Sequence, residues 1–349
     1  MFWIVGGGGL MAGLQSLGHN WLSDAVVYQL HHTPWEGLRF YDTIWPAFML
    51  MVGISIPFAF AKRALTQTSR QITAHAFKRA VVLFLLGSLR ESVLLKTPYL
   101  IELSSALQPI AIAYFVGAMV AKRSIRFLAL MGGLILLGYA LLLAFVSAPG
   151  IPAGTYELNH NLVHSVDIAL LGLTHWNQWP FASEGWGTVL STIPTVATTL
   201  LGLIIGKLLM MPTLSVRRKA SVIGMVGASC FLAGWALSPI IPVIMKLWTT
   251  SYGLASAGVA CLEFLIFFWI IEVRGYRKWA VTFVVFGSNA IFIYMFASLI
   301  PLQEWVSIFT QGLGSLWPRA VPLLTSILVL GVEGLILFWM HKRRIFIKA

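Results

Sequence analysis

Ten long apolar stretches separated by short polar breaks constrain this chain more than any other feature. Their cores run over residues 1–17, 43–61, 79–95, 102–121, 127–147, 188–206, 220–241, 253–272, 280–300 and 321–340. A helix needs roughly 20 apolar residues to cross a bilayer. Backbone polar groups in lipid must be satisfied within their own segment, which selects helices over open strands. Composition agrees: 58% of the 349 residues are hydrophobic and only 10% are charged, against about 25% charged in a soluble domain. The expectation is an all-α polytopic membrane protein, a single domain over 1–349 with about ten transmembrane helices. Its first partner is the lipid bilayer.

The net charge of +12 is distributed by connection. All but five of the 24 Lys and Arg lie in alternate breaks: 62–79, 122–126, 207–219, 274–278 and the tail from Lys342. That is the positive-inside bias of a multi-span protein, and it places both termini in the cytoplasm. The basic balance is therefore a topology signal, with no nucleic acid expected, and a second use in holding a phosphorylated cytosolic ligand stays open. Cys230 and Cys261 sit inside apolar segments, read as packing residues, and form no metal-ligand spacing. The opening "MFWIVGGGGLMAGLQS" lacks a basic n-region, so it reads poorly as a signal peptide. Four consecutive glycines weaken it as a helix, and it reads as a first helix missing its cytoplasmic turn.

This topology collects the titratable groups on the non-cytoplasmic side. His19, His31, His32, His160, His164 and His175 fall there, as do nine of the twelve acids. The largest connection, about 148–187, carries Asn159, Asp167, Asn177, Gln178 and Glu184, and is too long for an idle turn. Trp21, Trp35, Trp176, Trp179 and Trp186 form either an interfacial aromatic belt or, for Trp35 and the Trp176/Trp179/Trp186 group, a platform for a sugar ring.

The segment "HHTPWEGLRFYD" (31–42) concentrates such groups at the mouth of a span. Asp42 stands where it can cap the following helix. Pro34 and Gly37 shape a turn. A histidine takes and returns a proton near neutral pH, and His32 has Glu36 and Asp42 nearby as orienting carboxylates. Inside the spans, "GTVLSTIPTVATTLLG" (187–202) combines hydroxyls with Pro194, either as a kinked packing helix or as a pocket wall. "FGSNAIFIYMF" (286–296) reads the same way. Glu263 and Glu333 lie at or near membrane depth and need partners, with proton coupling an open role. Glu272 has Arg274 beside it for a local ion pair.

These motifs resemble a known family. "HTPWEGLRFYDTIWPAFMLMVGISI" is similar to the histidine-containing segment of heparan-α-glucosaminide N-acetyltransferase and its bacterial relatives. "EGWGTVLSTIPTVATTLLGLIIG" resembles the family's Leu-Ser-Thr-Ile-Pro helix. "KLWTTSYGLASAG" and "RGYRKWAVTFVVFGSNAIFIY" resemble its late segments. The resemblance runs through nearly the whole chain in order. It implies transfer of an acetyl group from cytosolic acetyl-CoA to an amino sugar or glycan on the far side, with no metal.

The family's histidine falls on His32, its Asp on Asp42, its Ser-Thr-Pro on Ser191, Thr192 and Pro194, and its late Asn on Asn289. His32 would act as general base or acetyl carrier, oriented by Glu36 or Asp42. Lys78, Arg79, Arg274 and Lys278 would hold the CoA phosphates, and the Ser191–Thr192 helix with Asn289 would line the path of the pantetheine arm. Trp35, Trp176, Trp179 and Glu184 would meet the acceptor. Relatives begin upstream of "MFWIVGG". They carry an Asn or acid near the position of Gly8, and differ at Leu107-Gln108-Pro109 and at "VIMK" (243–246). A bacterial inner membrane and a homodimer fit the family. The rival reading is a secondary transporter of an amino sugar or glycan fragment, since polar midplane residues and a Pro-broken helix are also transporter features.

Overall fold

A computed structural model of the chain describes residues 2–18, 20–96, 103, 105–171 and 186–347. Among these, seven helices are long and apolar enough to cross a membrane. In chain order the helices begin with α1 (Phe2–Leu17), α2 (Trp21–Leu30), α3 (Phe40–Ala64), α4 (Ser69–Leu95), α5 (Leu107–Met119) and α6 (Ile125–Phe145). A two-residue hairpin, β1 (Tyr156–Glu157) and β2 (His160–Asn161), precedes α7 (Leu162–Leu171). Then follow α8 (Val189–Met210), α9 (Val216–Leu237) and α10 (Thr250–Phe268), the last extended by a π-helical turn to Val273. α11 (Val281–Ser288), α12 (Ala290–Leu299), α13 (Leu302–Thr310) and α14 (Val321–Lys342) complete the chain. The seven are α3, α4, α6, α8, α9, α10 with its extension, and α14.

The protein is thus an all-α multi-pass membrane protein. The ninth expected span is α11 and α12, bent by 62° at Asn289, and counting it as one span brings the total to eight. The first and fourth expected spans are helices of 16 and 13 residues. α8 continues through Pro194 without a break.

Local chemistry explains where these helices begin. Thr68, Ser124, Ser215 and Thr249 each cap a following helix by accepting an amide proton three residues on, so hydroxyl residues end the polar breaks as N-caps.

The fold comprises two compact units. The larger holds residues 33–38 and 45–273. Its core gathers Ile56, Tyr114, Leu128, Val196, Leu200 and Leu203. α3 and α8 touch backbone to backbone: a Cβ at Gly53 would stand 2.1 Å from the Thr199 carbonyl oxygen, and one at Gly202 2.1 Å from that of Leu50. Only glycine permits that approach, the small-residue packing typical of membrane helices.

The smaller unit holds residues 1–32, 39–44 and 274–349. Here the glycine run of α1 has a use that propensity alone hides. Gly6 and Gly13 face α14: an added Cβ would fall 2.4 Å from a Leu330 methyl and 2.5 Å from Leu323 Cα. The Ser326 hydroxyl donates to the Gly9 carbonyl at 2.8 Å, and Thr310 and Thr325 share a hydroxyl hydrogen bond of 2.7 Å between α13 and α14. Gly6, Gly9 and Gly13 thus form the face on which α1 packs closely against α14.

Candidate active site

The end of α2 and the start of α3 bring together a histidine and a buried carboxylate. Helix α2 opens at Asn20, whose side chain accepts from the Leu22 and Ser23 amides, and closes at His31 in extended backbone. The chain then leaves for residues 33–38 and returns at Arg39. In the smaller unit that return is clasped three ways. The Phe40 amide donates to Gln29 Oε1 at 2.9 Å, the Arg39 guanidinium donates to the His32 carbonyl at 3.2 Å, and it also lies 3.9 Å over the Tyr28 ring.

Asp42 sits in the first turn of α3 and is fully buried. Its Oδ2 accepts from the Arg39 amide at 2.9 Å, the backward half of a capping box, in which the third helical residue reaches to the cap amide. Its Oδ1 lies 2.8 Å from His32 Nδ1. A carboxylate accepts only, so Nδ1 carries the proton and donates it, and Nε2 is the basic nitrogen. The Tyr41 ring meets the imidazole edge-on at 4.7 Å between centroids. Tyr41 in turn rests on α1, where a Cβ at Gly7 would come within 3.0 Å of it. The His32 side chain is 41% exposed while that of Asp42 is 0% exposed. A dry carboxylate thus holds a reachable imidazole in one tautomer, an arrangement that serves general-base or nucleophilic chemistry.

Of the two carboxylates expected to orient His32, Asp42 occupies the place. Glu36 is exposed, and its backbone pairs with Ile244 in the larger unit. There Gly37 (φ 125°) donates its amide to the Val243 carbonyl at 2.8 Å. Trp35 donates its indole proton to the Tyr156 carbonyl at 2.8 Å and packs in the cluster around Val163 and Leu162. Its polar end is held by the protein, and only the ring faces remain for stacking. Gly8 has open space around it. Trp176, Trp179 and Glu184 lie outside the described residues.

The residues expected to hold the donor divide between the units. In the larger one, Ser191 and Thr192 are buried, and both hydroxyls donate back to the Thr188 carbonyl, at 3.3 and 2.7 Å. Arg79 stacks 4.8 Å over the Tyr114 ring, and Lys78 is exposed. In the smaller unit, Arg274 and Lys278 are exposed. Asn289 is fully buried at the bend between α11 and α12. Its Nδ2 donates to the Ile345 carbonyl at 3.0 Å and its Oδ1 accepts from the Ile347 amide at 2.8 Å. It therefore clamps the tail that follows α14, a role the span pattern did not reveal.

Two further groups were not legible as a pair in the sequence. Asp167 of α7, almost wholly buried, accepts the amides of Thr188 and Val189 at 2.8 and 3.0 Å and so caps α8 from outside that helix. Burial pushes its carboxyl up to about 6, against the opposing pull of those two amides. Burial also holds the nearby His164 below its usual value. Trp45, Trp248 and Tyr252 form an edge-to-face ladder with ring centroids 4.9 and 5.3 Å apart, and Lys246 lies 5.7 Å over Trp186. Compared with known proteins, the chain matches no family model and no curated protein sequence.

Proposed function

We propose that the protein is a transmembrane acetyltransferase that moves an acetyl group from cytosolic acetyl-CoA to an amino sugar or glycan on the non-cytoplasmic side of a bacterial inner membrane. The observation that carries this reading is the 2.8 Å contact between His32 Nδ1 and the buried Asp42 carboxylate. A carboxylate on Nδ1 fixes the ring in the tautomer that leaves Nε2 free to accept a proton. Such a ring can deprotonate an acceptor amine for direct attack on the thioester carbonyl. It can equally attack that carbonyl itself, expel the CoA thiolate and pass the acetyl group on. The family resemblance of the His32–Ile56 segment points the same way. Trp35, Trp176, Trp179 and Glu184 would face the acceptor, and Lys78, Arg79, Arg274 and Lys278 the CoA phosphates, in a protein that works as a monomer or a homodimer.

The test is acetyl transfer in sealed proteoliposomes, with acetyl-CoA on one side and glucosamine on the other. Wild-type protein should acetylate the amine, and His32→Ala should not, while retaining its helical content. Normal transfer by His32→Ala would sink the mechanism.

A second reading, a secondary transporter of an amino sugar or glycan fragment, draws on different features. The ninth span is bent by 62° at a buried Asn, and Glu333 of α14 is buried with Oε2 unpartnered among the described residues. Broken helices and membrane-depth carboxyls occur in transporters. Uptake of labelled glucosamine that needs Glu333 and ignores His32 would favour it.

A further inference from the structure

The ends of α3, α5 and α8 and the start of α4 border an open cavity of about 670 Å³ in the larger unit. The positive-inside pattern assigns this end of the bundle to the cytoplasm. Its walls are mainly apolar, with Phe60, Ile72 and Met210 among them, and its polar lining is Gln67, Thr68, Ser69, Lys122 and Lys207. No carboxylate lines it, and neither ammonium is ion-paired among the described residues. Lys122 donates to Ser69 Oγ at 2.6 Å and Lys207 to the Arg123 carbonyl at 2.7 Å. An ammonium has three protons, so each keeps two for a ligand.

The same cavity receives the first turn of α4, a 27-residue helix. Its capping box occupies the amides of Thr68 and Gln71, and the amide of Ser69, which lines the cavity, has no partner among the described residues. Helix-start amides favour an anion. Gln67 Oε1, buried in the wall, is also unpartnered among the described residues, and it calls for an N–H or O–H donor. Two cations, one helix-start amide and one buried acceptor against apolar walls describe one ligand class.

We propose that this cavity binds a phosphate group carried on an apolar or aromatic body that also offers a hydrogen-bond donor, with Lys122 and Lys207 as its cationic arms. Two sources share that chemistry, an anionic phospholipid headgroup and a soluble nucleotide phosphate. The inference stands apart from the acetyl-transfer reading, because none of these residues belongs to the His32–Asp42 pair. Its failure leaves that pair untouched, and the reverse holds too.

The experiment compares full-length wild type and Lys122→Gln/Lys207→Gln in neutral detergent. Binding of phosphatidylglycerol and of adenosine 3′,5′-bisphosphate is measured by native mass spectrometry, with phosphate-free diacylglycerol and adenosine as controls. The expected result is binding of at least one phosphate probe, weakened at least tenfold in the double variant, with the controls unchanged. Loss of the lipid alone identifies a headgroup site, and loss of the nucleotide alone a soluble-ligand site. Should the double variant fail to fold, Lys122→Gln alone serves, since Lys122 is exposed. Absence of binding by wild type, or equal binding by wild type and variant, would overturn the proposal.

Discussion

His32 Nδ1 and Asp42 Oδ1 stand 2.8 Å apart across ten residues of chain, and the same carboxylate reaches back to the Arg39 amide that opens α3. One side chain thus caps a membrane helix and sets the tautomer of an imidazole. The capping role and the orienting role of Asp42 are both filled, by its two oxygens.

That double use gives the first prediction. Asp42→Asn retains one acceptor oxygen, so it keeps either the cap or the histidine bond in its native form. If the protein carries out the acetyl transfer proposed above, its rate should fall by about two to four orders of magnitude, as expected when the orienting carboxylate of a histidine is neutralised. Stability should fall by only about 1 kcal/mol, the usual cost of a lost cap. Initial rates and thermal unfolding measured on the same preparation separate the two effects.

The glycines of α1 should respond in opposite directions. Gly13→Ala pushes a methyl to within 2.5 Å of the Leu323 backbone and should destabilise the protein by about 1–3 kcal/mol through overpacking. Gly8→Ala meets nothing within 4 Å and should be neutral or stabilising by up to about 1 kcal/mol through helix propensity. Equal effects of the two in thermal unfolding would contradict the packing of α1 against α14.

Asp167 predicts a pH dependence. Its carboxyl is raised from 3.8 to about 6 by burial, so the folded state holds a proton that the unfolded chain has released. Stability from this group is therefore full below about pH 4 and declines as pH rises through about 6, by on the order of 3 kcal/mol. Asp167→Asn removes the titration. The difference in unfolding midpoint between wild type and this variant should shift against wild type from pH 4 to pH 7, and a flat difference would rule the linkage out.

Asn289→Leu removes both bonds to the backbone of Ile345 and Ile347. Each buried backbone group left unpaired costs about 1–3 kcal/mol. Hydrogen exchange at residues 345–347 should accelerate, while that in α8 and α10 stays unchanged. Uniform acceleration across the chain would point instead to a global loss of stability.

Fold class was legible in the sequence because lipid permits few solutions. Long apolar runs of helix length and alternating basic breaks suffice to identify a multi-pass helical protein, and α3, α4, α6, α8, α9, α10 and α14 each correspond to one expected core. Hydropathy carries no record of bends, however, and it did not reveal the 62° break between α11 and α12. The imidazole at position 32 and the carboxylate at position 42 were both visible as residues. Their pairing was not separable from Glu36 by spacing alone, because it depends on where the chain re-enters after residues 33–38. Tertiary contact decided three matters that periodicity could not: Asp42 rather than Glu36 on the histidine, Asn289 on the tail, and the glycine run as a helix interface. In each case the deciding quantity is a distance between atoms remote in sequence, set by how backbones approach, and one-dimensional pattern carries no record of it.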